Sequence, residues 1–329
     1  MIKVLETFSG VGAQRMALKK ANIPHEVIGI SEIDQFSIKS YEAIHGSVFN
    51  YGDISKINVE SLPDFDLLTY SFPCTDISQA GKMNGLKKGS GTSSSLLWET
   101  QRIIEHKLPK YLLMENVKNL VNKRFIDDFK EWVKYLEELG YQSEWKVINA
   151  QDHGVPQNRE RVFMVSMLTD TFDFSFPEKK PLNKNLSNII EKDADEKYFF
   201  KQDKQSEFVP SEKSREVSFH KKLILSGKIE HKGWFDQMKR VYDVNGASPT
   251  LTTMQGGNRQ PKIIDPNYNG DGIGLRKLTP LECWRLMGFS DDDFNKSKQS
   301  GMSDSQLYKQ AGNSIVVDVL VDIFKNMFL

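Results

Sequence analysis

The sequence predicts an α/β fold with an open sheet, followed by a second domain or a large insertion. Apolar runs rich in β-formers alternate with amphipathic helical segments as far as about residue 176. From Pro177 the chain becomes charged and weakly periodic, with short β-like pieces and turns. The length of 329 residues suits two domains, or one large domain with an appendage.

Composition narrows the class of protein. The apolar share is 39%, and no apolar run reaches the roughly 18 residues that a membrane helix needs. The N-terminus has no basic segment followed by a cleavable apolar one, so we expect a cytoplasmic protein with no membrane partner. Two cysteines exclude a disulfide framework and a cysteine-based zinc site, so we expect no metal. A reducing compartment suits a free thiol.

Charge leaves the question of a nucleic-acid partner open. The net charge is zero, which argues against one. However, residues 219–262 hold eight lysines and arginines against three acids. This segment is either a local basic surface or a solvated face.

The first strand, residues 3–8, runs into a glycine turn, Ser9-Gly10-Val11-Gly12-Ala13, and then into a helix over residues 14–21. Such a unit lays a ligand against backbone N–H groups at the start of a helix. The third glycine of the dinucleotide fingerprint is missing, because Arg15 stands there. A nicotinamide cofactor is therefore disfavoured.

The second strand, residues 27–30, is followed by Glu32, which lies 20 residues after Gly12. At that offset an acid reaches a ribose hydroxyl in related folds. A glycine turn with a ribose acid and no phosphate cradle favours S-adenosylmethionine. The alternative is that Glu32 is an N-cap acid before a helix over residues 35–45. Asp53 lies in a later short loop, where it contacts an adenine amino group or is a surface turn acid.

A third strand, residues 65–70, must stop at Pro73, because proline cannot continue a central ladder. Cys74 therefore falls on a turn at a strand end. Residues 79–95 are rich in Gly, Ser and Lys, which is typical of a mobile loop. The pattern suggests a nucleophile under a lid, or else a small buried cysteine.

After a helix over residues 96–106, the strand at residues 111–114 leads to Glu115-Asn116-Val117. Glu115 is either a cap for the next segment or an acid that converges on Cys74. Helix 125–139 and strand 141–147 follow. Period-two alternation then puts Gln157, Arg159 and Arg161 on one face, which suits contacts to an anion or a base better than surface ion pairs.

The C-terminal part returns to helical character. A helix begins at Thr279 with Pro280 in its first position. Gly312-Asn313-Ser314 opens a final amphipathic helix over residues 315–327.

Taken together, these pieces resemble the cytosine-C5 DNA methyltransferases of bacterial or phage type, with the motifs in family order over the whole chain. The matching stretches are Phe8-Ser9-Gly10-Val11-Gly12, Glu32, Asp53, Pro73-Cys74, Glu115-Asn116-Val117, Gln157-x-Arg159-x-Arg161, residues 276–289 and Tyr308-Lys309-Gln310-Ala311-Gly312-Asn313-Ser314.

The resemblance implies a mostly parallel, doubly wound sheet of the S-adenosylmethionine-dependent methyltransferase type with a smaller recognition domain. It implies a catalytic domain (1–176), a DNA target-recognition domain (177–275) and a return segment (276–329). We expect a monomer that acts on double-stranded DNA, flips a cytosine and methylates its C5 through a Cys74 adduct. Expected catalytic residues are Cys74, Glu115, Arg159 and Arg161. The expected cofactor residues are Phe8, Ser9, Gly10, Gly12, Glu32, Ile33, Asp53, Ile54, Pro73, Asn313, Ser314 and Ile315.

The DNA-contacting residues are expected to be Ser78, Lys82, Lys239, Arg240, Thr250, Gln255 and Arg259. Glycine-rich loops let side chains approach base edges, while lysine and arginine hold phosphates. We therefore expect Gln255 and Arg259 to choose the sequence and Lys239 and Arg240 to act on phosphates. Thr250-Leu251 is similar to a Thr-Leu pair of the family's recognition domain.

Three positions depart from the family pattern: Thr75 for Gln, Glu6 for Asp and Ala13 for Gly. None of them removes a catalytic group. Two alternatives stay open. A tRNA-acting relative typically carries a Cys-Phe-Thr triplet in its second domain, and this chain has no cysteine between Cys74 and Cys283. A non-catalytic DNA-binding regulator would be free to lose Cys74, Glu115 and Arg161.

Overall fold

The computed structural model describes residues 1–73, 96–205, 207–218 and 223–329. Cys74, Thr75, Ser78, Lys82 and the loop of residues 79–95 lie outside the described residues. In chain order the elements are β1 (Ile2–Thr7), α1 (Ala13–Lys20), β2 (His25–Ser31), α2 (Gln35–His45), β3 (Leu67–Tyr70), α3 (Leu97–Lys107), β4 (Tyr111–Val117), α4 (Ile126–Glu138), β5 (Tyr141–Asn149), β6 (Gln157–Asn158), β7 (Glu160–Leu168), α5 (Gln202–Gln205), β8 (Phe208–Ser218), β9 (Leu223–Ile229), α6 (Asp236–Lys239), β10 (Arg240–Tyr242), β11 (Ser248–Pro249), β12 (Lys262–Ile264), β13 (Leu275–Lys277), α7 (Pro280–Arg285), α8 (Asp291–Gln299), α9 (Asp304–Asn313) and α10 (Val317–Phe328).

The chain forms two compact units. The first comprises Met1–Ile148, Glu160–Glu178 and Val319–Leu329, and the second comprises Asn149–Arg159 and Lys179–Asp318. The second segment of the first unit ends at Glu178, close to the predicted boundary at residue 177. Residues 276–318, however, group with the second unit and not with the first. The assignment of catalytic and recognition roles to domains stays a prediction.

The first unit is built on a sheet with the strand order β2-β1-β3-β4-β7-β5. Strands β1 to β4 pair in parallel, and β7 runs antiparallel to β4. The predicted mostly parallel, doubly wound sheet is confirmed. Strand order reverses direction between β1 and β3, and ligands of such sheets bind at the carboxyl ends of the strands beside this point.

The pairing register of β1, β2, β3 and β4 aligns the carboxyl ends of these strands. Thr7, the last residue of β1, pairs with Ser31 of β2 and with Tyr70 of β3. Tyr70 in turn pairs with Met114, the residue before Glu115. The segments that follow these strands therefore all begin at the same end of the sheet, the end that holds the carboxyl ends of the parallel strands.

The core of this unit explains why the strands read as continuous apolar runs. All four residues of β3 are buried, since helices cover a parallel sheet on both faces. Helix α4 packs Phe129, Trp132 and Leu136 into this core, and the Trp132 indole N–H donates to the Tyr70 hydroxyl over 3.2 Å.

The second unit contains a sheet with the order β13-β12-β10-β9-β8 and a two-residue pairing of β6 with β11. Ile229, Val241 and Leu275 of this five-stranded sheet form a small apolar cluster. Helix α7 begins as predicted: Thr279 is the N-cap, and its side chain forms a capping box with Glu282. The predicted final helix begins at Val317 rather than at residue 315, and residues 308–313 lie in α9.

Among the described residues, no helix is long and apolar enough to cross a bilayer. In the same part of the chain, no three His, Cys, Asp or Glu side chains are grouped as metal ligands would be.

Candidate active site

Glu115 and Arg161 form an ion pair at the end of the first unit's sheet where the parallel strands have their carboxyl ends. In the antiparallel register of β4 and β7, Val117 faces Arg161, so Glu115 is Arg161's diagonal neighbour on the same face. The Arg161 Nε lies 3.2 Å from the Glu115 Oε1, and both side chains are largely buried, at 16% and 11% exposed. A buried carboxylate is thus held beside a cation at a strand end.

Asn116 joins this strand to the segment that carries Cys74 in the sequence. Its side-chain amide donates to the Phe72 carbonyl over 3.0 Å, and its own Oδ1 accepts from the Val117 N–H over 2.8 Å. Asn116 is 3% exposed, so these bonds are shielded from water. The amide therefore fixes the backbone two residues before Cys74.

The chain's other cysteine is unsuited to nucleophilic chemistry. Cys283 is fully buried in α7. Burial raises the pKa of its thiol well above the usual value, and the charge of Glu282 raises it further. Because the thiolate is the reactive form, Cys283 is inert, and Cys74 remains the candidate nucleophile.

The glycine turn after β1 has the geometry of a ligand loop. Phe8, Gly10 and Gly12 all have positive φ angles, of 54°, 55° and 78°. Such an angle is uncommon for phenylalanine, and strain of this kind concentrates at functional sites. A Cβ added to Gly10 would stand in open space, whereas one on Gly12 would strike Tyr41 and His45. Gly12 thus permits close packing of α1 on α2, and Gly10 is the open position of the turn.

Glu32 is bound to this turn. Its Oε2 accepts from the Gly10 N–H over 2.9 Å, and its Oε1 accepts from the Ile33 and Asp34 N–H groups, each over 2.9 Å. The N-cap of α2 is Asp34, whose carboxylate accepts from Phe36 and Ser37. Glu32 is therefore not the helix cap, and its carboxylate links the ends of β1 and β2.

Asn50 positions the neighbouring loop, although the sequence analysis did not single it out. Its Oδ1 accepts from the Glu32 N–H and the Gly52 N–H, and its Nδ2 donates to the Glu32 carbonyl. Asp53 follows and caps the 3-10 helix Ile54–Lys56 through the Ser55 N–H. Asparagine in a loop gives too common a signal for Asn50 to be found from one sequence.

The adjacent isoleucines differ in exposure. Ile33 is 68% exposed, and Ile54 is buried at 3%. Of these two predicted cofactor residues, only Ile33 therefore presents a large open surface.

Arg159 and Arg161 have different partners. The Arg159 guanidinium donates to the backbone carbonyls of Leu251, Gly312 and Ser314 over 2.8–2.9 Å, all within the second unit. Arg159 is 3% exposed. It therefore braces these backbone segments, while Arg161 is the arginine beside Glu115.

The stretch Gln157-Asn158-Arg159, here called the hub, is hydrogen-bonded to several segments of the second unit. The Gln157 side chain donates to the Leu286 carbonyl over 2.9 Å and accepts from the Leu251 N–H over 3.2 Å. The Thr250 hydroxyl donates to the Asn158 carbonyl. The structure thus brings the Thr-Leu pair onto the stretch Gln157-Asn158-Arg159.

Comparison with known proteins decides the family. The family model for C-5 cytosine-specific DNA methylases matches residues 2–329. The chain belongs to this family.

The relatives of this methylase match it over their full length. It is 38% identical to the type II methyltransferase M2.ScrFI of Lactococcus lactis subsp. cremoris, with 100% of this chain and 99% of the relative covered. It is 33% identical to the orphan methyltransferase M.SPBetaI of Bacillus phage SPbeta, with 99% and 97% covered. The predicted resemblance is confirmed, and the enzyme is a DNA cytosine-C5 methyltransferase.

Solved structures support the fold of this methylase. The S. pombe Dnmt2 methyltransferase superposes with a TM-score of 0.75 over 99% of this chain and 97% of its own, at 19% identity. At this identity the likeness shows the fold alone.

The predicted DNA-contacting residues of this methylase that the structure describes all lie in the second unit. Arg240 is paired with Asp236 over 2.6 Å, and Lys239 lies 3.6 Å from Glu230. Gln255 and Arg259 are exposed. A phosphate would therefore have to compete with carboxylates for Lys239 and Arg240, whereas Gln255 and Arg259 face solvent.

Proposed function

We propose that this methylase transfers the methyl group of S-adenosylmethionine to C5 of a cytosine flipped out of a specific duplex DNA site, through a covalent adduct with Cys74. The observation that carries the proposal is the buried Glu115–Arg161 pair, with Asn116 holding the backbone just before Pro73 and Cys74. An acid, a cation and a candidate thiol are the groups that this reaction requires.

Cytosine C5 is a weak nucleophile, and a thiolate that adds to C6 converts the ring into an enamine with a nucleophilic C5. The addition places negative charge on N3 and O2. Glu115 holds a proton at N3, and the Arg161 cation orients Glu115 and offsets the developing charge. After methylation a water molecule accepts the C5 proton, the C5–C6 double bond re-forms, and the electrons of the broken C6–S bond return to sulfur, which regenerates the Cys74 thiolate.

The residues that follow β1 and β2 at the carboxyl ends of these strands have the hydrogen-bonding groups and the open space that the proposed cofactor needs. Within the described residues, the buried Ser9 hydroxyl in the glycine turn has no hydrogen-bond partner, and the position of a Gly10 Cβ is open. Glu32 uses three of its roughly four acceptor sites on backbone N–H groups, so a site for a ribose hydroxyl remains. When bound, S-adenosylmethionine supplies an electrophilic methyl group. The turn, Glu32 and Asp53 would hold it.

The target base cannot react inside a duplex, so the cytosine must leave the base stack. We assign the reading of the DNA sequence to Gln255 and Arg259, and further contacts to the DNA to Ser78 and Lys82. The relatives' names favour a role in restriction–modification or in phage DNA modification. We further expect a cytoplasmic monomer.

The test uses two cysteine variants. Cys74→Ser should abolish transfer of labelled methyl to duplex DNA while cofactor affinity is kept, because a serine hydroxyl is far less nucleophilic at neutral pH. Cys283→Ala is the matched control and should keep activity. Wild type and Cys283→Ala, but not Cys74→Ser, should form a denaturation-resistant adduct on duplex DNA that contains 5-fluorocytosine.

A Cys74→Ser variant that methylates at a near wild-type rate would remove Cys74 from the mechanism. Methyl transfer to tRNA in place of duplex DNA would overturn the substrate assignment. Bisulfite sequencing of DNA from cells that express the protein would then report the methylated sequence.

A further inference from the structure

The loop of residues 254–260, here called the reading loop, has an unusual backbone. Met254, Gly256, Gly257 and Asn258 have φ angles of 50°, 69°, 65° and 55°. L side chains other than asparagine, aspartate and histidine rarely adopt such angles, so Met254 is held in an unfavourable region, whereas asparagine tolerates the angle found at Asn258. Interactions elsewhere must hold the loop in this shape.

Lys262 bonds to the second half of this loop. It opens β12 and is 1% exposed. Its ammonium donates to the carbonyls of Asn258 and Gln260, over 2.7 and 3.1 Å, and lies 5.2 Å from the centre of the Trp234 ring. These two carbonyls flank Arg259, so one buried cation fixes the backbone on both sides of that residue.

Burial of the Lys262 ammonium lowers the stability of the fold. The contacts of the Lys262 ammonium are two carbonyls and an aromatic ring, and its cross-strand neighbour is a second lysine, Lys277. Burial, together with the charge of Lys277, lowers the Lys262 pKa to about 7. An uncharged side chain of similar length would avoid this burial cost. The Lys262 ammonium holds the carbonyls of Asn258 and Gln260, and the Arg259 side chain between them is exposed, as is Gln255.

We propose that Lys262 is a positioning residue that fixes the reading loop and thereby sets the DNA sequence preference exerted through Arg259 and Gln255. The proposal rests on the DNA-reading role given to these two residues above. Loss of these two hydrogen bonds would free the backbone on both sides of Arg259. The exposed side chains would then no longer be held at a fixed spacing from base edges.

The test measures methylation over a random-sequence DNA library for Lys262→Met, Lys262→Gln, Arg259→Ala and Gln255→Ala. Methionine keeps the length of lysine without charge or donors, and glutamine keeps a donor without charge. Lys277→Met is the matched control: it lies on the paired strand with its ammonium over the Phe200 ring instead of the loop carbonyls. Thermal unfolding of every variant reports on folding.

We expect Lys262→Met to reduce discrimination about fivefold or more at a base pair that Arg259→Ala or Gln255→Ala also affects. Lys262→Gln should lie between Lys262→Met and wild type. The effects of Lys262→Met and Arg259→Ala should be less than additive in the double variant, because both act through one loop. Lys277→Met should keep the wild-type preference.

The outcomes separate the two proposals. A changed preference in Arg259→Ala or Gln255→Ala, with an unchanged one in Lys262→Met, would refute the role of Lys262 and leave the loop's role intact. An unchanged preference in both loop variants would refute the reading role of the loop itself. Failure of Lys262→Met and Lys262→Gln to fold while Lys277→Met folds would show that Lys262 serves stability, and would also refute the proposal.

Discussion

Glu6 is a fully buried carboxyl group on β1, and its replacement should change how stability depends on pH. The Tyr41 hydroxyl donates to its Oε2 over 2.6 Å. Burial raises the Glu6 pKa from 4.5 to about 7, although the Tyr41 hydrogen bond and the Arg15 charge act in the opposite direction. Folding therefore favours the protonated carboxyl.

The direction in which the free energy of unfolding changes with pH follows from proton binding to Glu6. Between pH 4.5 and 7 the folded state holds more protons on Glu6 than the unfolded state does. The resulting contribution to the free energy of unfolding is complete below pH 4.5 and is lost as the pH rises through 7. The raised pKa corresponds to about 3 kcal/mol across this range.

Glu6→Gln keeps the shape of the side chain and an acceptor for Tyr41 but cannot ionise. Its free energy of unfolding, relative to wild type, should increase by about 3 kcal/mol between pH 4.5 and pH 8. Urea unfolding, followed by circular dichroism at several pH values, measures this difference. Glu26→Gln, at an exposed position of β2, controls for the loss of one carboxylate. Parallel pH profiles for wild type and Glu6→Gln would refute the reasoning.

Four further changes have distinct expected outcomes. Glu115→Gln should slow single-turnover methyl transfer strongly yet spare DNA binding, because glutamine bonds the base edge but cannot deliver a proton at N3; weak DNA binding with an unchanged chemical rate would make Glu115 structural. Glu32→Ala should cost about 1–3 kcal/mol of cofactor affinity, measured by titration of the cofactor without DNA, and unchanged affinity would remove Glu32 from the cofactor site. Gly312→Ala should destabilise the protein by about 1–3 kcal/mol, since its Cβ would lie 2.0 Å from the Thr252 carbonyl oxygen; unaltered thermal unfolding would contradict this. Lys239→Ala should weaken DNA binding evenly across sequences and reduce the salt slope by about one, and a change in site preference would instead make Lys239 a base reader.

The sheet of the first unit could be predicted because its strands are continuous apolar runs bounded by glycine, proline and polar residues. Residues 65–70 and 111–114 identify β3 and the start of β4 in this way. The end of β4 was harder to place, because Glu115, Asn116 and Val117 are polar or mixed yet still belong to the strand. Their partners on β7 keep them in the ladder, and pairing of this kind is not visible in local sequence.

The roles of the two arginines could not be separated from sequence. Alternation predicted one shared face, but β6 ends at Asn158 and β7 begins at Glu160, and the two strands pair in different sheets. Arg159 lies in the break, so period-two counting does not carry across it. The consequence is visible only in three dimensions: backbone carbonyls surround Arg159, whereas Arg161 meets Glu115.

The second unit was the least predictable part, since several of its strands have only two or three residues. Too few alternating positions remain in such strands to give a periodic signal. Helices α8 and α9 did carry a signal that the sequence analysis left unused. Ser290 with Asp293 and Ser303 with Gln306 have the spacing of N-terminal caps, and the structure shows both serines as N-caps.

The hub at Gln157 and Arg159 has a consequence for how the protein is made. Their partners Leu286, Gly312 and Ser314 lie 129, 153 and 155 residues further along the chain. A ribosome adds roughly 5–20 residues per second, so for about 8–30 s after Arg159 is made the nascent chain lacks the Gly312 and Ser314 carbonyls that accept from its guanidinium. The first unit also lacks one of its contacts until late, because Phe328, whose ring packs on Tyr111, is synthesised long after Tyr111. We expect neither unit to resist proteolysis on stalled ribosomes until the segment after residue 312 has left the exit tunnel.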